Sequence, residues 1–531
     1  MKLITSAAYI GPDFMTEIGK LPPAFLPIGN RRVFEHQVRA LGADDGDLYL
    51  SVPEGYQISE HDRGYLKDQG VHLLVVPEGL TLGASLAYCW NCASGDHSHL
   101  EVLHGDTLLL DFPYGQLDTV SESKNAGYYP RARLTPDPSE TKDGGQAWAG
   151  DDEWVLSGYF SFSDPRLLIR KIVEQRGDFI QGMYLYAEQH PLRSLRDGTW
   201  LDLGHINTYF RSRSVMTTER SFNRMNISSR VVTKGGEWNA KIQAEAAWFQ
   251  RLPEELRIYL PQFLHDRSSE GTPEYAIEYL HLLPMSDLYV YGQLPGPAWR
   301  QLFRSCHEVL TAFQSASSEA DVDAASLDAL YLPKTTARLD DFAKSGFDID
   351  KPLSLHGVET PSLLEIARHS AGFIAPAKAE HVGIVHGDFC FSNILYDGRV
   401  QSVRLIDPRG LDADERLTLY GDTRYDIAKL YHSVVGMYDF VIAGRCVHTV
   451  DGNDYSLSFE GGTYLESIQL AFREVFFADD DMLRERSVLA ANIHLFLSML
   501  PLHADRPHAQ SALLANALRL YQDLLSIEAA P

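Results

Sequence analysis

Two short motifs between positions 385 and 410 combine the side chains that a phosphoryl-transfer site needs. His386, Gly387, Asp388 and Asn393 form the pattern HGDxxxxN, and Asp407 ends the apolar run ValArgLeuIleAsp. The Asp388 carboxylate can accept the proton of an attacking group, and an amide oxygen and a second carboxylate are hard ligands that suit Mg²⁺. Phosphoryl transfer asks a protein mainly to position a metal-bound triphosphate. We therefore predict Asp388 as the catalytic residue and Asn393 and Asp407 as metal ligands.

An upstream strand and helix carry a candidate ion pair for the same site. ArgValValThrLys, residues 230 to 234, is typical of a strand that ends in Lys234, and residues 241 to 249 are typical of a helix that presents Glu245. Kinases use a strand lysine, paired with a helix glutamate, to hold the phosphates of the nucleotide. We predict that Lys234 and Glu245 bind the cofactor in this way.

Each of these residues also has a non-catalytic interpretation. HGD and IDP occur as ordinary turns after strands, because Asp and Asn favour turns for local hydrogen-bonding reasons. A single lysine or glutamate is more often a solvated surface charge. The order of the two motifs along the chain favours the chemical interpretation.

The sequences HGDFCFSN and IDPRG together resemble the aminoglycoside phosphotransferase and choline kinase family, relatives of the protein kinases. The resemblance implies ATP and Mg²⁺ as cofactors, Asp388 as the catalytic base, and Asn393 and Asp407 as metal ligands. It also implies that Asp426, in TyrAspIleAlaLysLeu, braces the catalytic loop. TyrAlaIleGluTyrLeu resembles the hinge strand of these kinases, in which the backbone from Glu278 to Leu280 would meet adenine.

The first 210 residues resemble the sugar-phosphate nucleotidyltransferases at four places in the right order. ProProAlaPheLeuProIleGlyAsnArgArgValPheGluHisGlnVal is similar to the PKxLLPxxGKPxIEHxI stretch of that family, and SerAlaAlaTyrIleGlyProAspPhe stands at the position of its LAAGxGTRM loop. HisGlyAspThr and GlyThrTrpLeuAspLeuGlyHisIleAsnThrTyr are similar to its GDT and WxDxGTxxxY motifs. The resemblance implies that Asp106 and Asp202 bind Mg²⁺, with CTP, UTP or GTP as the nucleotide and a sugar phosphate as its partner.

The same region departs from that pattern where the family places its cations. Asp13 stands at the position of the loop arginine, Pro23 at the position of the lysine, and Tyr9 replaces a glycine. Two interpretations follow: a working transferase that draws its cations from elsewhere, or a fold that binds a ligand without nucleotidyl transfer. His205 and Asn207, after Asp202, could face that ligand.

Apolar runs and helical stretches alternate through the first 110 residues, which predicts βαβ units. We expect an α/β, Rossmann-like domain with a mostly parallel sheet at 1–215, followed by an α+β, two-lobed protein-kinase-like domain at 216–531. Its small lobe would span 216–282 and its helical large lobe 283–531. Residues 135 to 146, rich in turn formers, predict a solvated loop.

The chain has 531 residues and a formal net charge of −25, which would repel a nucleic-acid backbone, so we expect no nucleic-acid partner. Its apolar runs are too short to cross a bilayer. Five scattered cysteines form no disulfide framework, which favours the cytoplasm. An oligomer is compatible with the sequence.

The whole chain resembles fused proteins from bacterial surface-polysaccharide clusters. That resemblance implies a kinase that phosphorylates a hydroxyl or amine of a sugar, polyol or amino alcohol, and a transferase that activates the product. The rivals are a scaffold with neither activity and an antibiotic-modifying kinase. Lys334 and Arg338, in TyrLeuProLysThrThrAlaArgLeu, could meet an anionic acceptor.

Overall fold

The computed structural model describes residues 1–42, 47–124, 129–134, 153–216, 223–236, 239–266, 274–316, 324–477 and 482–528. The chain divides into two compact units, Met1–Thr217 and Thr218–Pro531. The segment predicted as a solvated loop, 135 to 146, lies outside the described residues. Within the described parts, no helix has the length and apolar character needed to span a bilayer.

The N-terminal unit alternates strands and helices. The strands in its described residues are β1 (Lys2–Thr5), β2 (Pro27–Ile28), β3 (Arg31–Arg32), β4 (Leu48–Pro53), β5 (His72–Val76), β6 (Leu100–His104), β7 (Thr107–Leu110), β8 (Thr119–Lys124), β9 (Trp154–Phe162), β10 (Arg193–Leu195) and β11 (Thr199–Asp202). The helices are α1 (Pro12–Ile18), α2 (Val33–Leu41), α3 (Glu60–Asp68), α4 (Leu82–Cys92), α5 (Pro165–Glu174), α6 (Phe179–Ala187) and α7 (Ile206–Val215).

The main sheet of this unit has seven strands in the order β10-β8-β9-β6-β1-β4-β5. β1 pairs in parallel with β4 and β6, and β4 pairs in parallel with β5, whereas β9 runs antiparallel to β6 and β8. Every residue of β4 is buried, as expected for a parallel strand covered on both faces. The predicted α/β fold with a mostly parallel sheet is confirmed, and β6 ends two residues before Asp106.

The C-terminal unit begins with strands and continues mainly with helices. The strands in its described residues are β12 (Asn223–Ile227), β13 (Val231–Gly236), β14 (Phe263–Asp266), β15 (Glu274–Glu278), β16 (Leu283–Pro284), β17 (Leu353–Leu355), β18 (Val358–Thr360), β19 (Val382–Ile384), β20 (Ile394–Asp397), β21 (Ser402–Leu405), β22 (Tyr420–Asp422), β23 (Cys446–Asp451) and β24 (Asp454–Phe459). The helices are α8 (Asn239–Arg251), α9 (Met285–Tyr291), α10 (Gly296–Ser315), α11 (Ala324–Leu327), α12 (Leu332–Ala343), α13 (Leu363–Ala371), α14 (Thr423–Val434), α15 (Tyr438–Ile442), α16 (Gly462–Phe476), α17 (Met482–Met499) and α18 (Pro507–Glu528).

The small lobe is an antiparallel sheet in the order β12-β13-β15-β14 with α8 beside it, and the large lobe is mostly helical. This arrangement confirms the two-lobed α+β fold. α17 and α18 are separate helices, because Pro501 lies in the turn that follows α17 and Pro507 begins α18. The large lobe also holds a four-stranded sheet, β18-β17-β24-β23, that the sequence did not predict.

Candidate active site

A buried carboxylate anchors the loop that carries the HGD motif. Asp426, on α14, accepts the backbone N–H of His386 at 2.7 Å and that of Gly387 at 2.8 Å. Gly387 has a φ of 75°, and a Cβ at this position would lie 2.7 Å from the Cβ of Arg409. Glycine is therefore required where the loop turns toward Asp388. Asp426 braces the loop in the manner that the resemblance implied.

His386 joins the HGD loop to the segment before Asp407. Burial lowers the pKa of His386 to about 4, so the ring is neutral at pH 7. Its Nδ1 accepts the backbone N–H of Asp388 at 3.3 Å, and its Nε2 lies 3.0 Å from the carbonyl oxygen of Ile406. A neutral imidazole has one N–H, so these contacts assign it to Nε2. The ring fixes the distance between the two motifs.

Asp388 is held by an amide and an ammonium group. Asn393 Nδ2 donates to the Oδ2 of Asp388 at 2.9 Å, and the Nζ of Lys429 lies 2.7 Å from its Oδ1. Burial would raise the pKa of Asp388, but the Lys429 charge outweighs it and holds that pKa well below its ordinary value. The side chain is 41% exposed. An ionised carboxylate with a fixed orientation thus remains accessible to an acceptor.

Asn393 and Asp407 offer the oxygen ligands that Mg²⁺ prefers. Asn393 donates its amide N–H to Asp388, and its Oδ1 accepts the Ser392 hydroxyl at 3.3 Å, which leaves a second lone pair on Oδ1 for a metal. The backbone N–H of Ile406 donates to the Asn393 carbonyl at 3.0 Å, which brings the two ligand-bearing segments together. Asp407 has a φ of 58°, in a region that Asp and Asn tolerate better than most residues, and its side chain is 46% exposed. This donor set fits Mg²⁺, which takes its remaining ligands from phosphate and water.

Lys234 connects the two lobes at this site. Its Nζ lies 2.6 Å from the Oε2 of Glu245 on α8 and 3.2 Å from the Oδ1 of Asp407. Burial would lower the pKa of Lys234, but the carboxylates of Asp407 and Glu245 raise it. The hydroxyl of Tyr275 donates to Glu245 at 2.8 Å. The structure therefore brings together the predicted lysine, glutamate and metal-ligand aspartate.

Removing Lys234 is expected to destabilise the C-terminal unit. Lys234→Met would leave the Glu245 side chain, which is 1% exposed, without its main counter-charge. Breaking a buried ion pair by removing one partner costs about 3–5 kcal/mol. The calorimetric transition of this unit, identified in the parent protein by its shift with bound ATP, should move to lower temperature in the variant. Lys234→Met with Glu245→Gln should recover much of the loss, and a double variant no more stable than the single one would contradict the pairing.

The predicted adenine-binding segment lies at the end of β15. The backbone N–H of Glu278 donates to the Gln262 carbonyl at 2.9 Å, and its side chain accepts the Gln262 N–H at 3.2 Å. The carbonyl of Leu280 accepts the N–H of Leu282 at 2.9 Å. The N–H and the side chain of Glu278 are therefore both hydrogen-bonded to Gln262. The contact of Glu278 and Leu280 with adenine stays a prediction.

Three residues near Asp388 were not among the predicted site residues. Lys429 follows Asp426 by one helical turn, so both side chains lie on the face of α14 that meets the HGD loop. That spacing could have identified Lys429 from the sequence. Tyr425 and Arg409 also lie close to the loop, and the Nζ of Lys334 is 3.3 Å from the Tyr425 hydroxyl.

The N-terminal unit brings Asp106 and Asp202, the two predicted metal ligands, close together. β7 and β11 pair so that Thr107 lies opposite Asp202, and the N–H of Leu203 donates to the Asp106 carbonyl at 2.8 Å. A Cβ at Gly204 would lie 2.6 Å from the Oδ2 of Asp106 and 3.4 Å from the Oδ1 of Asp202. Both carboxylates therefore border one glycine, and a larger residue there would displace the Asp106 side chain.

A cation that the sequence analysis missed occupies this N-terminal site. Arg131 forms an ion pair with Asp202, and its Nη2 lies 3.1 Å from the Nδ1 of His205. His205 stacks on Tyr129, whose hydroxyl accepts from the Nδ2 of Asn207 at 3.1 Å. Burial would raise the pKa of Asp202, but His205 and Arg131 lower it. Arg131 thus supplies positive charge that positions 13 and 23 lack, while it also occupies an oxygen that a metal would use.

The two lobes, the braced HGD loop and the Lys234–Glu245 pair define the C-terminal unit as a kinase-like phosphotransferase. Residues 219–444 match the model of the phosphotransferase enzyme family, so this unit carries a domain of that family. The curated proteins contain no significant match to the chain.

Solved structures similar to this chain include proteins of both kinds that its motifs resemble. A nucleoside-diphosphate-sugar pyrophosphorylase from Vibrio cholerae RC9 is 14% identical and covers 40% of this chain and 99% of its own, with a TM-score of 0.33. A choline/ethanolamine kinase family protein from Mesorhizobium loti is 11% identical and covers 62% and 96%, with a TM-score of 0.33. A thermostable mutant of aminoglycoside phosphotransferase APH(4)-Ia is 12% identical and covers 59% and 94%, with a TM-score of 0.36.

Proposed function

We propose that the C-terminal unit transfers the γ-phosphoryl group of Mg-ATP to a hydroxyl or amine of a small molecule. The observation that carries this proposal is the accessible, ionised Asp388 carboxylate, fixed by Asn393 beside a second carboxylate, Asp407, that is paired with Lys234. The residues that we assign as proton acceptor, metal ligands and phosphate-binding cation therefore lie in one place.

The chain's own side chains account for the steps of such a transfer. Lys234, held by Glu245, would bind phosphate oxygens of the nucleotide. Asn393 and Asp407 would hold Mg²⁺, which neutralises the charge of the triphosphate when bound. Asp388 would orient the acceptor and take its proton as the acceptor oxygen or nitrogen bonds to the γ-phosphorus and the bond to the β–γ bridging oxygen breaks, which releases ADP. A loose transition state needs little basicity, so the low pKa of Asp388 suits this role.

A mass-spectrometric screen tests the kinase proposal. The full chain is incubated with ATP, Mg²⁺ and a panel of sugars, polyols and amino alcohols, and products are sought that have gained one phosphoryl group. We expect such a product to form only with the parent protein and Mg²⁺, and not with Asp388→Asn. A phosphorylated product that forms equally with Asp388→Asn would contradict the proposal.

We further propose that the N-terminal unit acts on the product of the kinase as a nucleotidyltransferase. Asp106 and Asp202 border one site, and Arg131 supplies a cation there. Such a pair of steps, phosphorylation and then activation, would yield a nucleotide-linked precursor of surface polysaccharide. The Arg131–Asp202 ion pair also favours the second candidate, a unit that binds a sugar phosphate without transferring a nucleotide.

Aspartate variants distinguish the two N-terminal candidates. CTP, GTP or UTP is supplied with sugar phosphates, and nucleotide sugar is measured. Asp106→Ala and Asp202→Ala should each lower its formation by about 10²–10³-fold, because they remove charge stabilisation from a phosphoryl site. Variants that make as much nucleotide sugar as the parent would refute the metal assignment. A parent that binds sugar phosphate but makes none would favour the binding unit.

A further inference from the structure

A cluster of positive charge lies on the large-lobe side of Asp388. Lys334, on α12, places its Nζ 3.3 Å from the hydroxyl of Tyr425 and 5.6 Å from the centre of that ring. The side chain of Arg409 starts beside Gly387, one residue before Asp388, and Lys429 lies 2.7 Å from Asp388 itself. The three cations therefore lie around the HGD loop and the neighbouring ring of Tyr425, the region in which we expect the acceptor to bind.

All three cations influence the pKa of one side chain, that of Tyr425. Its side chain is buried, which would raise its pKa, but Lys334, Lys429 and Arg409 together lower that pKa while Asp388 opposes them. The hydroxyl of Tyr425 thus lies in the combined field of three cations and the catalytic carboxylate.

Among the described residues, two of the three cations have no carboxylate partner. Lys429 is paired with Asp388, and the nearby Asp422 is taken by Arg424 at 2.7 Å. Over the parts of the chain that the structure describes, Lys334 and Arg409 have no carboxylate at ion-pair distance, although the net charge of the chain is −25. Both side chains are partly exposed, so a ligand can reach them.

We propose that the acceptor carries an anionic group, a carboxylate or a phosphate, that Lys334 and Arg409 bind while its reacting group lies at Asp388. This inference rests on the proposed kinase function and narrows its substrate class. Arginine and lysine bind carboxylates and phosphates through charge-assisted hydrogen bonds. The same cations repel the protonated amines of an aminoglycoside, which argues against the antibiotic-modifying alternative.

The position of Lys334 separates this role from nucleotide binding. The phosphates of the nucleotide are assigned to Lys234, which belongs to the small-lobe strand β13. Lys334 belongs to α12, which packs on the large-lobe helices α13 and α17. Lys334 should therefore affect the acceptor rather than ATP.

The test uses matched acceptor sets built on several hexoses and polyols. Each set contains the neutral compound, its carboxylic acid, its phosphate and its amine, and the full chain is assayed with Mg-ATP. We expect kcat/KM for the acid or the phosphate to exceed that of the neutral member by at least about tenfold, the ratio that one charge-assisted contact supplies. The two anionic members decide between carboxylate and phosphate. A preference for the neutral or amine members would overturn the inference.

Single substitutions test whether Lys334 and Arg409 bind the acceptor. Lys334→Gln and Arg409→Gln should each raise KM for the anionic acceptor about tenfold and leave KM for ATP unchanged. Lys344→Gln, which removes a 76% exposed lysine just beyond α12, is the matched control. It should change neither the KM for the acceptor nor the KM for ATP. An effect of Lys334→Gln on KM for ATP instead of the acceptor would overturn the assignment.

Calorimetric binding of the same acids and phosphates to the protein loaded with Mg²⁺ and a non-hydrolysable ATP analogue separates the two proposals. Anion binding that depends on Lys334 but is followed by no phosphorylation with ATP would refute the kinase and keep the anion site. Phosphorylation of acceptors with no preference for the anionic members would keep the kinase proposal and refute the anion site. Failure of every acid and phosphate to bind would overturn the anion site.

Discussion

Asp388→Asn is expected to lower kcat for phosphoryl transfer by about 10²–10⁴-fold, the range that a positioned proton acceptor contributes. The asparagine keeps the shape of the side chain and can still accept the amide N–H of Asn393, but it cannot take a proton. Binding of Mg-ATP should change little, because Asn393, Asp407 and Lys234 remain in place. Steady-state kinetics and nucleotide binding measure the two effects separately.

The Asp388 substitution also leaves Lys429 without its counter-charge, which must be distinguished from the catalytic effect. An unpaired, mostly buried ammonium should cost about 1–3 kcal/mol of stability. Asp388→Asn with Lys429→Met should restore the unfolding temperature and leave the enzyme inactive. Asp414→Asn, at a carboxylate that is 66% exposed, is the control and should behave as the parent. Recovery of activity in the double variant would refute the role of Asp388.

Asp407→Asn is the second variant with a large expected effect. It removes one charged ligand from the proposed Mg²⁺ site. We expect kcat/KM for ATP to fall by about 10²–10³-fold, the loss typical of removing an enzyme group that stabilises charge in the transition state. Asparagine tolerates the left-handed backbone of this position, whereas alanine would add strain. The Mg²⁺ concentration needed for half-maximal rate should rise as well, which a magnesium titration measures.

The stability of Asp407→Asn distinguishes a metal ligand from a structural partner of Lys234. Lys234 would keep Glu245 at 2.6 Å, so the free energy of unfolding should change by less than about 1 kcal/mol. A variant that lost several kcal/mol of stability but kept its magnesium requirement would show that Asp407 serves the ion pair and not the metal.

The sequence was most informative where function depends on neighbouring residues. HGDxxxxN places Asp388 and Asn393 five residues apart, and the backbone turn brings the amide of one to the carboxylate of the other. Lys429 was predictable in principle, since its spacing from Asp426 puts both on one helical face. Lys429 lies in the segment TyrAspIleAlaLysLeu, but the family resemblance assigns a role there only to Asp426.

Other features depend on distant parts of the chain. Lys334 meets Tyr425, 91 residues later in the sequence, because α12 and α14 both pack on α17. Arg131 reaches Asp202 from an irregular segment with no periodic pattern. β17 and β18 have three residues each, and β17 pairs with β24 about 100 residues later, so neither length nor periodicity marks the sheet.

The most direct test of the kinase centre does not require the acceptor to be known. Electron paramagnetic resonance can count the Mn²⁺ ions that the full chain binds in the presence and absence of ATP. We predict ATP-dependent Mn²⁺ binding that is retained in Asp388→Asn and is lost or strongly weakened in Asn393→Ala and Asp407→Asn. If Asn393→Ala and Asp407→Asn bind Mn²⁺ and ATP as tightly as the parent, these residues do not form the proposed metal site and the account of the centre is wrong.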